Sequence, residues 1–327
     1  MIKFENVSKH YPDDNVAVKS LNLNIRDGEL FVLIGPSGCG KTTTLKMINR
    51  LVDISEGTIY INNKKISEYN IHELRWDIGY VLQQIGLFPH MTIEENIAIV
   101  PELKKWDKKK VNGRITELLE SVGLEPDKYR KRKPSELSGG EQQRVGVVRA
   151  LAGDPKIILM DEPFSALDPI SRQKLQQDIV KLQKKIKKTI VFVTHDMQEA
   201  LALGDRICVM KDGEVVQCDT PTNIISNPKN DFVENFFKSG NAYNTCVLKG
   251  EYKVKDLIDI ELYNHYKYKT QNNNISIDDE SSFEDLLKLL KDEELILVRH
   301  KGEIIGTIDS NNVVKFISMQ LEKGGDV

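Results

Sequence analysis

Along the first 34 positions apolar residues alternate with polar ones, Leu21, Leu23 and Ile25 marking one face, and then fuse into the continuous run Leu30-Phe31-Val32-Leu33-Ile34. Alternation predicts half-buried strands, whereas an unbroken apolar run of this length predicts a strand covered on both faces. Asp27-Gly28 supplies a turn between the two. Between residues 100 and 135 the pattern becomes helical and basic, with Lys104, Lys105, Lys108, Lys109 and Lys110 followed by another cationic stretch from 128 to 133, read as solvated helix faces.

From residue 157 two apolar runs, 157–160 and 190–193, are separated by a Lys/Gln-rich stretch of helix length over 172–188. Strand, helical crossover and strand predict parallel pairing. A hairpin follows, because residues 207–210 and 214–217 flank Lys211-Asp212-Gly213. The first domain closes near residue 238. Beyond the polar break at 271–274 the pattern predicts a strand over 275–277 and a helix with Ser282 and Asp285 as its capping box and Phe283, Leu286, Leu287 and Leu290 on one face. Strands over 295–298 and 304–308, joined at Lys301-Gly302, then lead to a last helix capped by Ser310 and carrying Val313, Val314, Ile317 and Leu321.

With 327 residues, 40% of them hydrophobic, the chain can bury a large core, and two domains are expected. The 46 basic and 49 acidic side chains leave a net charge of −3, which gives no global attraction for nucleic acid or anionic lipid. Cys39, Cys208, Cys218 and Cys246 are widely spaced and form no CxxC or Cys/His set, so neither a disulfide framework nor a structural zinc site is expected. No basic head precedes an apolar core at the N-terminus and no run approaches about 18 apolar residues. A protein of the reducing cytosol that does not itself span a membrane is the expectation.

Candidate chemistry begins directly after the first buried strand. Gly35-Pro36-Ser37-Gly38-Cys39-Gly40-Lys41-Thr42 fits GxxxxGK[ST], and a helix-compatible stretch starts at Thr43. Such a loop turns backbone N–H groups inward on phosphates, Lys41 neutralises the β and γ phosphates, and Thr42 offers its hydroxyl to Mg²⁺. Cys39 is read as a small side chain in a tight loop. A second anion-binding helix terminus is expected at Leu137-Ser138-Gly139-Gly140-Glu141-Gln142, where Ser138 caps and the glycines bare the first N–H groups. The run ending in Asp161-Glu162 brings two carboxylates to one strand end; because neighbouring strand side chains point to opposite faces, one is expected toward Mg²⁺ and the other toward an attacking water. The run ending at Thr194-His195 adds an imidazole at the same carboxyl edge, a candidate γ-phosphate sensor.

Together these residues resemble the nucleotide-binding subunit of ATP-binding cassette (ABC) transporters over residues 1–238. The resemblance implies an α/β P-loop NTPase fold with a mixed sheet and a helical subdomain at about 90–150. It also implies that Gly35 to Thr43 form the Walker A nucleotide site, Ser138, Gly139 and Gly140 the signature, Asp161 the Walker B aspartate and Glu162 the catalytic glutamate. By the same resemblance Gln83 is the Q-loop glutamine at the Mg²⁺ site, Asp168 belongs to the D-loop, His195 is the switch histidine and Tyr11 stacks on adenine. ATP and Mg²⁺ are implied, as is a head-to-tail homodimer on the cytoplasmic face of a membrane, driving a separate transmembrane permease supplied by an extracytoplasmic binding protein.

Residues 79–92, followed by Val100-Pro101-Glu102 and Trp106, are similar to the corresponding part of importers of quaternary ammonium osmoprotectants such as glycine betaine, carnitine and choline. Residues 239–327 are then a regulatory region, in which about 275–320 resembles one cystathionine-β-synthase (CBS) repeat; 241–270 is too short and irregular for a first repeat. That tail either tunes transport through ionic strength or a nucleotide, or is a dimer-stabilising or degenerate remnant. A soluble non-transport ABC ATPase, an importer of another substrate class and an exporter are the alternatives. Two fused cassettes, a long coiled coil or a strongly basic domain would favour the first, and exporters often fuse their spanning helices to the cassette; none of these is visible in the sequence.

Overall fold

The computed structural model describes residues 1–12, 16–165, 188–238, 253–257, 275–290 and 295–309, with positions 167, 172, 175, 176, 179 and 313 besides. Two compact units emerge, Met1–Ala242 and Tyr243–Val327. Asp168, Cys246, the break at 271–274 and all of the expected last helix except Val313 lie outside the described residues.

In the first unit, β1 (Ile2–His10), β2 (Val16–Ile25), β4 (Glu56–Ile61) and β5 (Lys64–Lys65) form an antiparallel sheet in the order β2-β1-β4-β5. A second sheet takes β3 (Leu30–Ile34), β6 (Ile78–Val81), β7 (Ile157–Asp161), β8 (Thr189–Thr194), β9 (Arg206–Lys211) and β10 (Glu214–Asp219) in the order β10-β9-β3-β8-β7-β6. All pairs except β9–β10 are parallel. The unbroken apolar runs are its centre: every residue of β3, β7 and β8 is buried. One core layer lies between the sheets, where Phe4, Leu21 and Ile59 meet Phe31, Leu33, Val191 and Val193 around the helix α1 (Lys41–Ile48).

Register decides what this sheet can do. Ile34 pairs with Thr194 and Asp161 with Val193, so the carboxyl ends of β3, β7 and β8 finish level with one another. The chain leaving each of them therefore emerges at one edge of the sheet, where open parallel sheets place ligands.

After α2 (Ile71–Trp76) and β6 come α3 (Ile93–Leu103), α4 (Lys108–Ser121), α5 (Pro126–Tyr129) and α6 (Gly139–Ala152), with α3, α4 and α6 packed on one another. Their starts are written locally. Thr92 Oγ1 accepts from Glu95 N at 3.3 Å while Glu95 accepts from Thr92 N at 2.7 Å, and Asp107 accepts from Lys110 N at 3.0 Å. At α6 Ser138 Oγ accepts from Glu141 N at 3.4 Å and Glu141 accepts from Ser138 N at 2.8 Å. Each such cap contributes about 1 kcal/mol.

The second unit contains β11 (Ser276–Asp278), a helix Phe283–Leu290, β12 (Leu295–His300) and β13 (Glu303–Asp309), in the order β11-β12-β13 with β11 parallel and β13 antiparallel to β12. Val254, Leu257, Ile277, Leu286, Ile296, Val298 and Ile308 make its core. Ser282 caps the helix, accepting from Asp285 N at 3.1 Å, and the turn passes through Lys301-Gly302 as expected. Lys253 and Lys255 both grip Glu280, holding its carboxyl down to about 2 through hydrogen bonds and charge.

Candidate nucleotide site

The loop between β3 and α1 closes over its own backbone. Gly40, the residue before α1, has φ +98°, in the left-handed region that favours glycine, and a Cβ there would run into the Ala17 carbonyl. A Cβ on Gly35 would strike the Met210 carbonyl of β9. Lys41, only 5% exposed, folds its ammonium back over the loop, donating to the Gly35 carbonyl at 2.7 Å and the Pro36 carbonyl at 2.8 Å. α1 begins at Lys41, two residues earlier than the sequence suggests, so the N–H groups of its first turn face the loop.

Across the sheet edge, Thr42 Oγ1 donates to Asp161 Oδ1 at 2.8 Å. The other carboxylate oxygen, Oδ2, accepts from the Tyr80 hydroxyl at 3.3 Å. Burial, reinforced by the neighbouring Asp161 charge, raises the Tyr80 phenol above its ordinary range and keeps it a donor. The sequence alone assigns Tyr80 no role; its place near the carboxyl end of a strand, three residues before Gln83, is the available signal.

Glu162 does not continue the strand. β7 ends at Asp161, and Glu162 turns into the left-handed region with φ +44° while its N–H donates to the Val193 carbonyl at 3.0 Å. The divergence of Asp161 and Glu162 thus comes from this kink and not from strand alternation, which stops one residue too early. Glu162 Oε2 receives the Gln83 amide at 3.4 Å and lies 3.1 Å from His195 Nδ1. A cavity of about 200 Å³ is lined by Ala17, the loop 37–43 and Glu162.

The structure therefore brings Gly35 to Thr43, Asp161, Glu162, Gln83 and His195 to one sheet edge. It places Gln83 on Glu162 and not on the Thr42–Asp161 pair. Tyr11 is 38% exposed, lies under the Lys9 ammonium at 5.1 Å and does not line this cavity. Nor do Ser138, Gly139 and Gly140 at the start of α6. Cys39 is buried 3.7 Å from the Lys41 ammonium, and burial pushes its thiol up, away from reactivity.

Two further residues hold the Gln83 loop. Asn96 of α3, fully buried, accepts from Phe88 N at 2.8 Å and donates to the carbonyls of Phe88, Met91 and Thr92. Arg149 of α6 donates to the Gly86 carbonyl at 2.6 Å. Nothing local in the sequence marks either one, since each acts on a loop that only the fold brings near.

A level parallel-strand edge, a glycine loop opening a helix and a hydroxyl–carboxylate pair beneath it define the P-loop nucleoside-triphosphatase class. A family model described as ABC transporter matches residues 18–165. The chain is 58% identical over 236 residues to the carnitine transport ATP-binding protein OpuCA of Listeria monocytogenes serotype 1/2a, covering 72% of this chain and 59% of that relative. To the osmoprotectant import ATP-binding protein OsmV of Salmonella typhimurium it is 52% identical over 260 residues, 78% of this chain and 68% of the relative. The solved dimer of the ATP-binding cassette MJ0796 in a post-hydrolysis state with ADP and Pi superposes with TM-score 0.62 at 39% identity, covering 68% of this chain and 99% of that one. The chain belongs to the ABC transporter family of ATP-binding proteins. It spans about three fifths of the length of the first curated relatives it matches.

Proposed function

We propose that this chain is the ATP-hydrolysing subunit of an ABC importer for quaternary ammonium osmoprotectants such as glycine betaine, carnitine or choline. The observation that carries the catalytic part is the cavity shared by the 37–43 loop and Glu162, together with the Thr42 hydroxyl of that loop 2.8 Å from the Asp161 carboxylate. The relatives named for carnitine and osmoprotectant transport support the cargo.

In this reading the loop N–H groups and the first turn of α1 hold the ATP phosphates, and the Lys41 ammonium exchanges the Gly35 and Pro36 carbonyls for phosphate oxygens. Thr42 and Asp161 offer two hard oxygen donors, a set that suits Mg²⁺ with phosphates completing its shell. Bound there, Mg²⁺ would supply charge neutralisation at the terminal phosphates. Glu162 orients the attacking water and accepts its proton, while His195 and Gln83 fix the carboxylate through Oε2. Positioning and charge stabilisation carry most of the rate.

Ser138, Gly139 and Gly140 stand away from this cavity, and a second copy is the source of the signature that closes it; Asp168 and Tyr11 keep the roles that the resemblance gives them. The dimeric MJ0796 cassette supports the dimer. A groove of about 830 Å³ between α3 and α4, lined in part by Ala98, Ile99, Trp106 and Ile115, is the surface offered to a permease fed by an extracytoplasmic binding protein. Among the described residues no helix is long and apolar enough to cross a membrane, and the chain acts from the cytoplasmic face through that permease. The unit after 242, with its β11-helix-β12-β13 order, is a single CBS-like regulatory module.

Uptake of labelled glycine betaine, carnitine and choline at high osmolarity tests the reading. Cells deleted for this chain should lose uptake of at least one of them, regain it with the wild-type chain and fail to regain it with Glu162→Gln. Undiminished uptake of all three after deletion would contradict the cargo assignment.

A further inference from the structure

The β9–β10 hairpin sets two cysteines side by side. Cys208 and Cys218 are direct partners in the antiparallel register. Opposed residues in such a ladder have Cα atoms about 4.5–5.5 Å apart, inside the window of about 4.4–6.8 Å that a disulfide accepts. Both side chains face one layer, with Cys208 fully buried in the core between the two sheets and Cys218 packed against the same cluster. Both are free thiols. Because β10 is the edge strand and Cys218 is only half-buried, one of the two sulfurs lies within reach of solvent.

A cation stands beside the more accessible sulfur. Arg206, two positions before Cys208 and hence on its face, places Nη2 3.2 Å from Cys218 Sγ. The guanidinium is fixed there by the Asn24 carbonyl at 3.1 Å, by Glu29 at 3.3 Å and by the Phe31 ring, whose centroid is 5.4 Å away. The Cys208 thiol donates toward Cys218 and, with the Arg206 charge, draws the Cys218 thiol below its ordinary value; Cys208 is pushed up by Cys218 and by burial. The pair is thus asymmetric, with a nucleophile at the edge and a protonated partner behind it.

We propose that Cys208 and Cys218 form a dithiol modification site that a hydroperoxide converts into an intramolecular disulfide. The Cys218 thiolate attacks one oxygen of hydrogen peroxide, the O–O bond breaks and the departing hydroxide takes a proton as water, leaving a sulfenic acid. The Cys208 sulfur then attacks that sulfur, the S–O bond breaks and the hydroxyl leaves with the Cys208 proton as a second water. Two thiols lose two electrons and one peroxide becomes two waters. A small dithiol reverses the step by exchange. The site sits on β9 two residues before Met210, the residue whose carbonyl packs against Gly35.

Purified full-length chain treated with hydrogen peroxide tests this by thiol titration under denaturing conditions and by non-reducing tryptic mass spectrometry. Free thiols should fall from four to two, with peptide 207–211 joined to peptide 212–229, and dithiothreitol should restore both. Cys218→Ser should abolish the joined species and Cys39→Ser should leave it unchanged. Four surviving thiols, linkage of either residue to Cys39 or Cys246, or arrest of Cys218 as sulfinic acid without linkage would overturn the proposal. Since the joined peptide is read in the wild-type chain, the test holds even where a variant folds poorly.

Discussion

His195 Nδ1 lies 3.1 Å from Glu162 Oε2, joining residues at the ends of two adjacent parallel strands. Glu162 is 20% exposed and His195 62%, so the carboxylate is the sheltered member and the imidazole reaches outward. The second contact to the same oxygen comes from Gln83. Both contacts fall on one carboxylate oxygen, and in the proposed function the other is the one offered to water.

Glu162→Gln keeps size and hydrogen bonding but removes the proton acceptor. Nucleotide affinity should be retained, while hydrolysis falls by about a hundredfold to ten-thousandfold. Phosphate release and equilibrium nucleotide binding, measured on the same preparation, check both halves.

Backbone strain at this position makes a separate expectation. Glu162 holds φ +44°, a conformation costing a non-glycine residue about 1–2 kcal/mol. Glu162→Gly and Glu162→Ala both delete the carboxylate, so their comparison isolates the backbone. The glycine variant should melt at the higher temperature in calorimetry, although both are inactive.

Lys41→Ala removes the ammonium that folds over the phosphate loop. A charged hydrogen bond contributes about 1.5–3 kcal/mol, so nucleotide affinity should weaken roughly tenfold to a hundredfold. Titration calorimetry reads the change directly.

Glu199 is buried beside this edge, accepting from the Thr194 hydroxyl at 2.5 Å, and burial raises its carboxyl above the ordinary range. The folded state therefore binds a proton more tightly than the unfolded one. That contribution to stability is complete below the ordinary carboxylate value and is lost as pH rises through the elevated one. Glu199→Gln should remove this contribution to the pH dependence, giving a melting temperature above wild type on the alkaline side and a shrinking gap on the acidic side. Melting curves at a series of pH values check the sign.

What was legible in the chain was what lies close in sequence. The loop 35–42 declares its chemistry because eight consecutive residues hold all of it, and the apolar runs of β3, β7 and β8 declare a parallel sheet because burial on both faces removes polar positions. Contacts made across the fold left no such trace. Gln83 and Glu162 meet across 79 positions, Asn96 and Arg149 hold the Gln83 loop from two different helices, and within the expected hairpin Cys208 faces Cys218 only because the register shifts between Val215 and Gln217. Asp161 and Glu162 were assigned to different tasks on strand alternation, whereas the left-handed turn at Glu162 is what separates them.

The central claim is that the loop at 35–42 grips ATP and that cleavage requires a second copy. Phosphate release per chain, followed over a wide range of protein concentration with Mg²⁺ and with chelator, tests it most directly. The rate per chain should climb with concentration to a plateau, vanish with chelator and fall in mixtures containing a Ser138→Arg chain. A rate per chain that is constant while the protein is monomeric, or no metal-dependent release at any concentration, would contradict it.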